Sequence, residues 1–367
     1  MALPADGVEV IALLGTSFAR LEHQGTRWRF LLRAWARDPR VRRLVAVDFP
    51  KISPRHLVRS PLAVSRRSWL EGCELVEARV PAHRATTLGS RLAWSRTARG
   101  IDDLLGHARH PRVVIAATPL AAPLLSRITS ARQGFDAVDD WRALPGMVHL
   151  ARHVAAGYAS LRPSTACTSV SEPLSATLAD DYGLAPTTIP NGVDLEAYAR
   201  RAPAPEDVPD EPFAVYVGVV QERFDLELLE ALVSAGVRVV VAGPARGSVA
   251  DRLRQSGATW LGPIDVGLVP GLLQRARVGI VPHRVDPLTL SMDPMKVLEY
   301  LAAGLPVVTT PVTRSVASSR VVEAEGPAFV AATRSALSAA RLDSPDPVVL
   351  DRDWAQVARR VLEVHAG

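Results

Sequence analysis

Short apolar runs alternate with helix-patterned segments through both halves of this chain, and that alternation limits the fold more than any single motif does. Residues 8–14, 44–47, 75–80 and 113–117 are apolar runs of strand length, the first ending in Gly15-Thr16-Ser17. Residues 26–37 have helical spacing instead, with Trp28, Leu31, Leu32 and Trp35 on one face. Strands interleaved with helices build parallel βαβ units in an open, doubly wound sheet. Ligands on such sheets bind outside the carboxyl ends of the strands. Residues 15–18 and Thr118-Pro119 therefore belong near a site. Residues 52–70 carry prolines and arginines without a period and read as a loop or irregular helix.

The alternation breaks once. After a strand over 165–170 and a helix over 172–182, residues 186–212 hold Pro186, Pro190, Pro203, Pro205, Pro209 and Pro212, with the turn Asn191-Gly192 inside. The pattern restarts with strands over 213–220, 237–242, 259–261, 278–281 and 306–310. Helices are predicted over 226–232, 249–255 and 268–275, and residues 283–293 read as a loop. Apolar residues at 354, 357, 358, 361 and 362 mark an amphipathic closing helix. At 367 residues the chain exceeds what one core usually spans. The division predicted is 1–185, 186–349 with its crossing at 186–212, and a terminal helix at 350–367. Charge follows the same division: residues 1–185 hold 25 Lys and Arg against 16 Asp and Glu, and the remainder 18 against 22. The basic half suits an anionic lipid surface or an anionic substrate, or is a solvated arginine-rich surface. No recognition motif accompanies it, which argues against nucleic acid. Cys73 and Cys167 form no CxxC or zinc pattern and read as reduced buried thiols. With neither a signal peptide nor an apolar run of membrane-spanning length, the sequence predicts a cytoplasmic protein, at most resting on the inner face of the membrane.

Residues 291–308 carry the densest chemistry. Asp293 suits an N-cap, Pro294 the first helical position, and Gly304 with Pro306 the helix end. Val297, Leu298, Leu301 and Ala302 share one face, with Lys296 and Glu299 on the other. A cation in the first turn opposes the helix dipole unless an anion is shared between it and the free backbone N–H groups. Glu299 could accept from hydroxyls, and phosphate plus hydroxyls describes a nucleotide or nucleotide sugar. The alternative is a solvated i,i+3 Lys–Glu pair. Only Lys51 and Lys296 among the 43 basic residues are lysine, so the position favours a compact charge on a flexible stem. Asp139 and Asp140 follow a strand-like stretch and precede Trp141, where an active-site carboxylate or a helix-capping pair would fall. No GxGxxG, P-loop, GxSxG or HExxH occurs, and Asp351-Arg-Asp353 reads as capping rather than metal binding.

With both halves read, the chain resembles the GT-B glycosyltransferases, specifically family-4-like bacterial enzymes of polysaccharide and glycoconjugate synthesis. Ile189-Pro-Asn-Gly-Val-Asp194 resembles the signature at the domain crossing. Tyr216-Val-Gly218 and Val241-Ala-Gly-Pro244 resemble strand ends of the donor domain, and Pro294 to Val308 its donor-binding helix and strand. The resemblance implies two Rossmann-like domains facing a cleft, a nucleotide diphosphate sugar as co-substrate with no further cofactor or metal, and a sugar, lipid-linked or small-molecule acceptor. It places Glu299 at the ribose hydroxyls. Lys296, Arg223 and the N–H groups around Ser291, Met292 and Met295 fall at the diphosphate, with Gly15 among the donor-site residues. The family's first glutamate is replaced by Ser291, and a paired Arg and Lys by Arg223 alone. The Met-Lys-x-x-Glu form is similar to enzymes near the xanthan glucuronosyltransferase, which invert through a carboxylate base, the role implied for Asp139 or Asp140. Two other readings are a nucleotide-sugar epimerase of the same fold and a non-catalytic two-domain binding protein.

Overall fold

The computed structural model describes residues 4, 6–52, 62–65, 70–80, 88–128, 130–312, 316–342 and 344–367. The chain divides into two compact units, Met1–Pro190 with Ala355–Gly367, and Asn191–Trp354. Both are α/β with parallel sheets.

Unit 1 holds strands β1 (Val8–Leu13), β2 (Val41–Ile52), β3 (Leu62–Ser65), β4 (Cys73–Val80), β5 (Arg112–Ala116), β6 (Arg132–Ala137), β7 (Ala166–Ser169) and β8 (Thr187–Thr188). Their order is β3-β4-β2-β1-β5-β6-β7-β8, parallel except for β3 against β4. Every residue of β1 and β5 is buried; their two charged residues, Glu9 and Arg112, pair with each other at 2.8 Å, and the other positions are apolar. Unit 2 holds β9 (Ala214–Val217), β10 (Val239–Ala242), β11 (Thr259–Gly262), β12 (Val278–Val281), β13 (Val307–Thr309) and β14 (Val321–Glu323). These are all parallel, in the order β11-β10-β9-β12-β13-β14. In each sheet the order reverses once, between β1 and β5 and between β9 and β12, and those two reversals are where crevices for ligands open.

Four local expectations are corrected. Part of the 52–70 stretch is strand: β2 runs on to Ile52, and β3 adds an antiparallel edge to β4, while 53–61 and 66–69 lie outside the described residues. Residues 283–293 are not all loop, because Asp286 and Thr289 form a reciprocal capping box that starts a short helix, Pro287–Ser291. Asp293 does not cap the next helix, Met295–Ala302, whose N-cap is Pro294. The Asp293 carboxylate instead accepts from the backbone N–H of Asn191 at 2.6 Å, and its carbonyl accepts from Asn191 Nδ2 at 2.7 Å. A tertiary donor has outcompeted the local one. Finally, the units divide after Pro190 and after Trp354, each five residues later than the boundaries at 185 and 349 read from sequence.

The terminal helix Trp354–Ala366 belongs largely to unit 1. Trp35 Nε1 donates to Ala358 O at 3.0 Å, and His365 Nε2 lies 3.0 Å from Thr168 Oγ1. Thr168 in turn donates to Asp136, which is paired with Arg27 at 3.0 Å with both side chains fully buried. Arg27 also donates to the carbonyls of Ile189 and Pro190, the last residues before the division. Removing one partner strands the other charge in the core. Arg27→Met should therefore cost about 3–5 kcal/mol in urea unfolding of the intact chain. A change within error of zero would refute the weight placed on this pair.

Candidate functional site

In unit 2 the crevice residues come from the ends of β9 and β12. Beyond β9, residues 223–225 pair with 282–284: Arg284 N–H donates to Arg223 O at 2.7 Å and Asp225 N–H to Pro282 O at 2.8 Å, with an antiparallel bridge between Phe224 and His283. This pairing sets Arg223 beside His283. Tyr216, buried on β9, has its hydroxyl 3.2 Å from Val219 O and 3.3 Å from His283 Nε2. The Lys296 ammonium lies 4.9 Å from the Tyr216 ring centroid, a cation–π contact. Gly218 makes this possible. At φ +142° a Cβ there would stand 3.2 Å from Lys296 Cε and 3.4 Å from Nζ. Gly243 is needed behind it, since a Cβ there would lie 1.9 Å from Gly218 O.

Lys296 is thus half-buried and no part of the solvated i,i+3 pair the sequence allowed; no ion pair joins it to Glu299 among the described residues. Burial, with Arg223 adding to it and Glu299 opposing, lowers the Lys296 pKa to about 7. Burial raises Glu299 to about 7, against the pull of Lys296. His283 is held neutral by burial and by the two cations, Lys296 and Arg223. Burial, then Glu299, raises the phenol of Tyr198, which places that ring near the carboxylate. Two cations so close that one lowers the other's affinity for protons are an arrangement that binding an anion would relieve.

Of the residues singled out in sequence, the structure gathers Arg223, Lys296 and Glu299. Ser291 is buried, its Oγ donating to Leu288 O at 2.8 Å. Met292 follows that helix in extended conformation and Met295 opens the next, both half-buried. The sequence reading gave His283 no role and Tyr216 and Gly218 none beyond a strand end of the donor domain, and it missed Tyr198. The signal available for the first three was their place just inside or past a strand end; Tyr198 had none.

Gly15, Asp139 and Asp140 belong to unit 1. A Cβ on Gly15 would lie 3.3 Å from Ala117 O and Trp141 Cζ2 and 3.4 Å from Thr118 Cβ. The ends of β1, β5 and β6 therefore converge at that sheet's own reversal. Asp139 and Asp140 do not cap the helical turn that follows, Pro145–Leu150, whose N-cap is Leu144. Asp140 instead accepts from Arg142 at its backbone N–H, Nε and Nη2, at 3.0, 3.0 and 2.9 Å. Arg142 also pairs with Asp181 and lies 5.6 Å from the Tyr182 ring centroid. Asp139 is half-buried. Among the described residues no group of three or more His, Cys, Asp or Glu side chains is placed to hold a metal ion, and no helix is long and apolar enough to cross a membrane.

Residues 214–342 match the family described as glycosyl transferases group 1. The putative teichuronic acid biosynthesis glycosyltransferase TuaH of Bacillus subtilis is 29% identical over 133 residues, 34% of this chain, and the match spans about a third of that relative's length, 34%. Over nearly the whole chain the fold is that of GT-B glycosyltransferases. AviGT4, involved in avilamycin A biosynthesis, superposes with a TM-score of 0.55 at 18% identity, covering 97% of each chain. HepE of Anabaena, solved in complex with UDP, gives 0.58 at 12% identity over 98% of this chain and 95% of its own.

Proposed function

We propose that this protein transfers a glycosyl group from a nucleoside diphosphate sugar, held by unit 2, to an acceptor hydroxyl held by unit 1. The observation that carries the reading is the pair of neighbouring cations, Arg223 and Lys296, at the sheet reversal of the domain that matches the group 1 glycosyl transferases. They suit a diphosphate, and Glu299, one turn along from Lys296, suits the ribose hydroxyls. As the sugar leaves the diphosphate, negative charge builds on the leaving oxygen, and cations fixed in a partly dry site stabilise it without reorganising. In this reading those side chains supply the neutralisation that a divalent metal supplies elsewhere. The match to a teichuronic acid enzyme supports an acceptor from polysaccharide or glycoconjugate synthesis.

The test is binding and transfer with UDP-, GDP- and dTDP-sugars, UDP first because HepE holds it. The expected outcome is saturable binding of one base class and turnover that persists in EDTA. Absence of binding to all three classes would sink the donor reading. Turnover lost in EDTA and restored by magnesium would sink the metal-free part alone.

A further inference from the structure

Two nitrogens in the unit 2 crevice are buried and have no hydrogen-bond partner among the described residues: Arg223 Nε and His283 Nδ1. His283 is 1% exposed, so water does not serve its ring. Leaving a buried polar atom unpaired costs stability, and such orphans persist where something else completes them. The 223–225 and 282–284 pairing holds both groups on one short ribbon, and both act electrostatically on Lys296 or are acted on by it. The cluster therefore has one ammonium, one guanidinium and one neutral imidazole, with unmet hydrogen-bonding capacity on the last two.

We propose that His283 is a third phosphate ligand, its Nδ1–H donating to a phosphoryl oxygen of the diphosphate beside Arg223 and Lys296. The proposal rests on the donor reading above and assigns that site a residue beyond the two cations. It requires the Nδ1–H tautomer, in which Nε2 accepts from the Tyr216 hydroxyl at 3.3 Å. That hydroxyl then turns from Val219 O, 3.2 Å away, to the imidazole. Tyr216 then has two jobs: its ring faces the Lys296 ammonium and its hydroxyl sets the histidine tautomer. Being neutral, the imidazole adds a directed donor without a third repelling charge, which suits a place already crowded by two cations.

Inorganic pyrophosphate is the probe, since it carries the anion without the nucleoside, with binding measured by calorimetry on the full-length chain. His283→Gln keeps a group near Nε2 for Tyr216 but lacks the Nδ1 donor; it should weaken pyrophosphate roughly tenfold or more. His283→Asn places an amide near the Nδ1 position and should bind close to wild type. Nitrogen-15 spectra of the wild type give a readout that needs no variant: the His283 Nδ1–H signal should become protected on saturation with pyrophosphate. The proposal is overturned if wild type does not bind pyrophosphate, if His283→Gln binds it like wild type, or if the ring stays in the Nε2–H form when saturated. Pyrophosphate bound through His283, with nucleoside diphosphates binding no tighter, would leave the anion cradle standing and remove the donor reading instead.

Discussion

Lys296→Met should abolish nucleoside diphosphate binding at working concentrations while making the ligand-free protein more stable. Methionine matches the length and most of the volume of the lysine stem, so contact with the Tyr216 ring survives while the charge is lost. Truncating one partner of a desolvated charge pair costs about 2–5 kcal/mol, roughly 30- to 3,000-fold in Kd. Stability moves the other way. The folded-state pKa of Lys296 is lowered to about 7, below that of the unfolded chain. Between about pH 7 and 10 the unfolded chain therefore binds a proton that the folded chain has released, and wild-type stability rises with pH across that window. At pH 7 and below the folded state must hold the buried charge, and there the methionine variant should melt higher. The same shift predicts linkage to the ligand. A diphosphate raises the lysine back toward its ordinary pKa, so binding takes up about one proton per site between pH 8 and 10, and affinity falls about tenfold per pH unit there. Glu299, near 7, is already ionised in that range, and His283 is neutral, so neither masks the slope. Calorimetry in buffers of differing ionisation enthalpy measures the uptake. Unchanged nucleotide affinity in Lys296→Met, or no proton uptake in wild type, would defeat the account of this lysine.

The sheet cores were legible because their signals are local. Strand β12 was read at its true limits, Val278–Val281, from four consecutive buried positions. The helix Glu172–Tyr182 was bounded by Ser171, whose side chain accepts from Leu174 N–H, and by Gly183 at φ +63°. Lys296 stood out because its place in a helix start contradicts the dipole. What stayed hidden depends on partners far along the chain. Arg27 falls in a helix whose apolar face was legible, yet it is buried against Asp136, 109 residues away. His283 is one histidine after one strand, and becomes notable only when Arg223 and Tyr216 stand beside it. Asp293 obeyed the capping rules in sequence and broke them in the fold, since Asn191, 102 residues distant, presented a backbone donor first. Beyond hydropathy period and capping, sequence reading has no term for such competition between local and tertiary partners.

Of the two carboxylates after β6, Asp139→Asn should be the damaging substitution for turnover, with kcat reduced about 10²–10⁴-fold and pyrophosphate and nucleotide affinity unchanged. Asp140 has given both oxygens to Arg142, at Oδ1 from Nε and Oδ2 from Nη2, a two-pronged charge-assisted pair. We assign its half-buried neighbour, Asp139, to take the proton from the acceptor hydroxyl, with Asp140 and Arg142 holding the turn beside it. The two variants then differ in kind. Asp139→Asn keeps size and hydrogen-bonding capacity and removes the basic oxygen, so kcat should fall far more than melting temperature or acceptor KM shifts. Asp140→Asn breaks the fork to Arg142 and frees Arg142 to lean on Asp181 alone, so its effect should appear as loss of local order and higher acceptor KM, with kcat recovering at saturating acceptor. Because the diphosphate is assigned to Arg223, Lys296 and His283 in unit 2, neither variant should alter donor affinity. Full turnover in Asp139→Asn would remove this carboxylate from the chemistry, and a kcat collapse in Asp140→Asn alone would reverse the assignment.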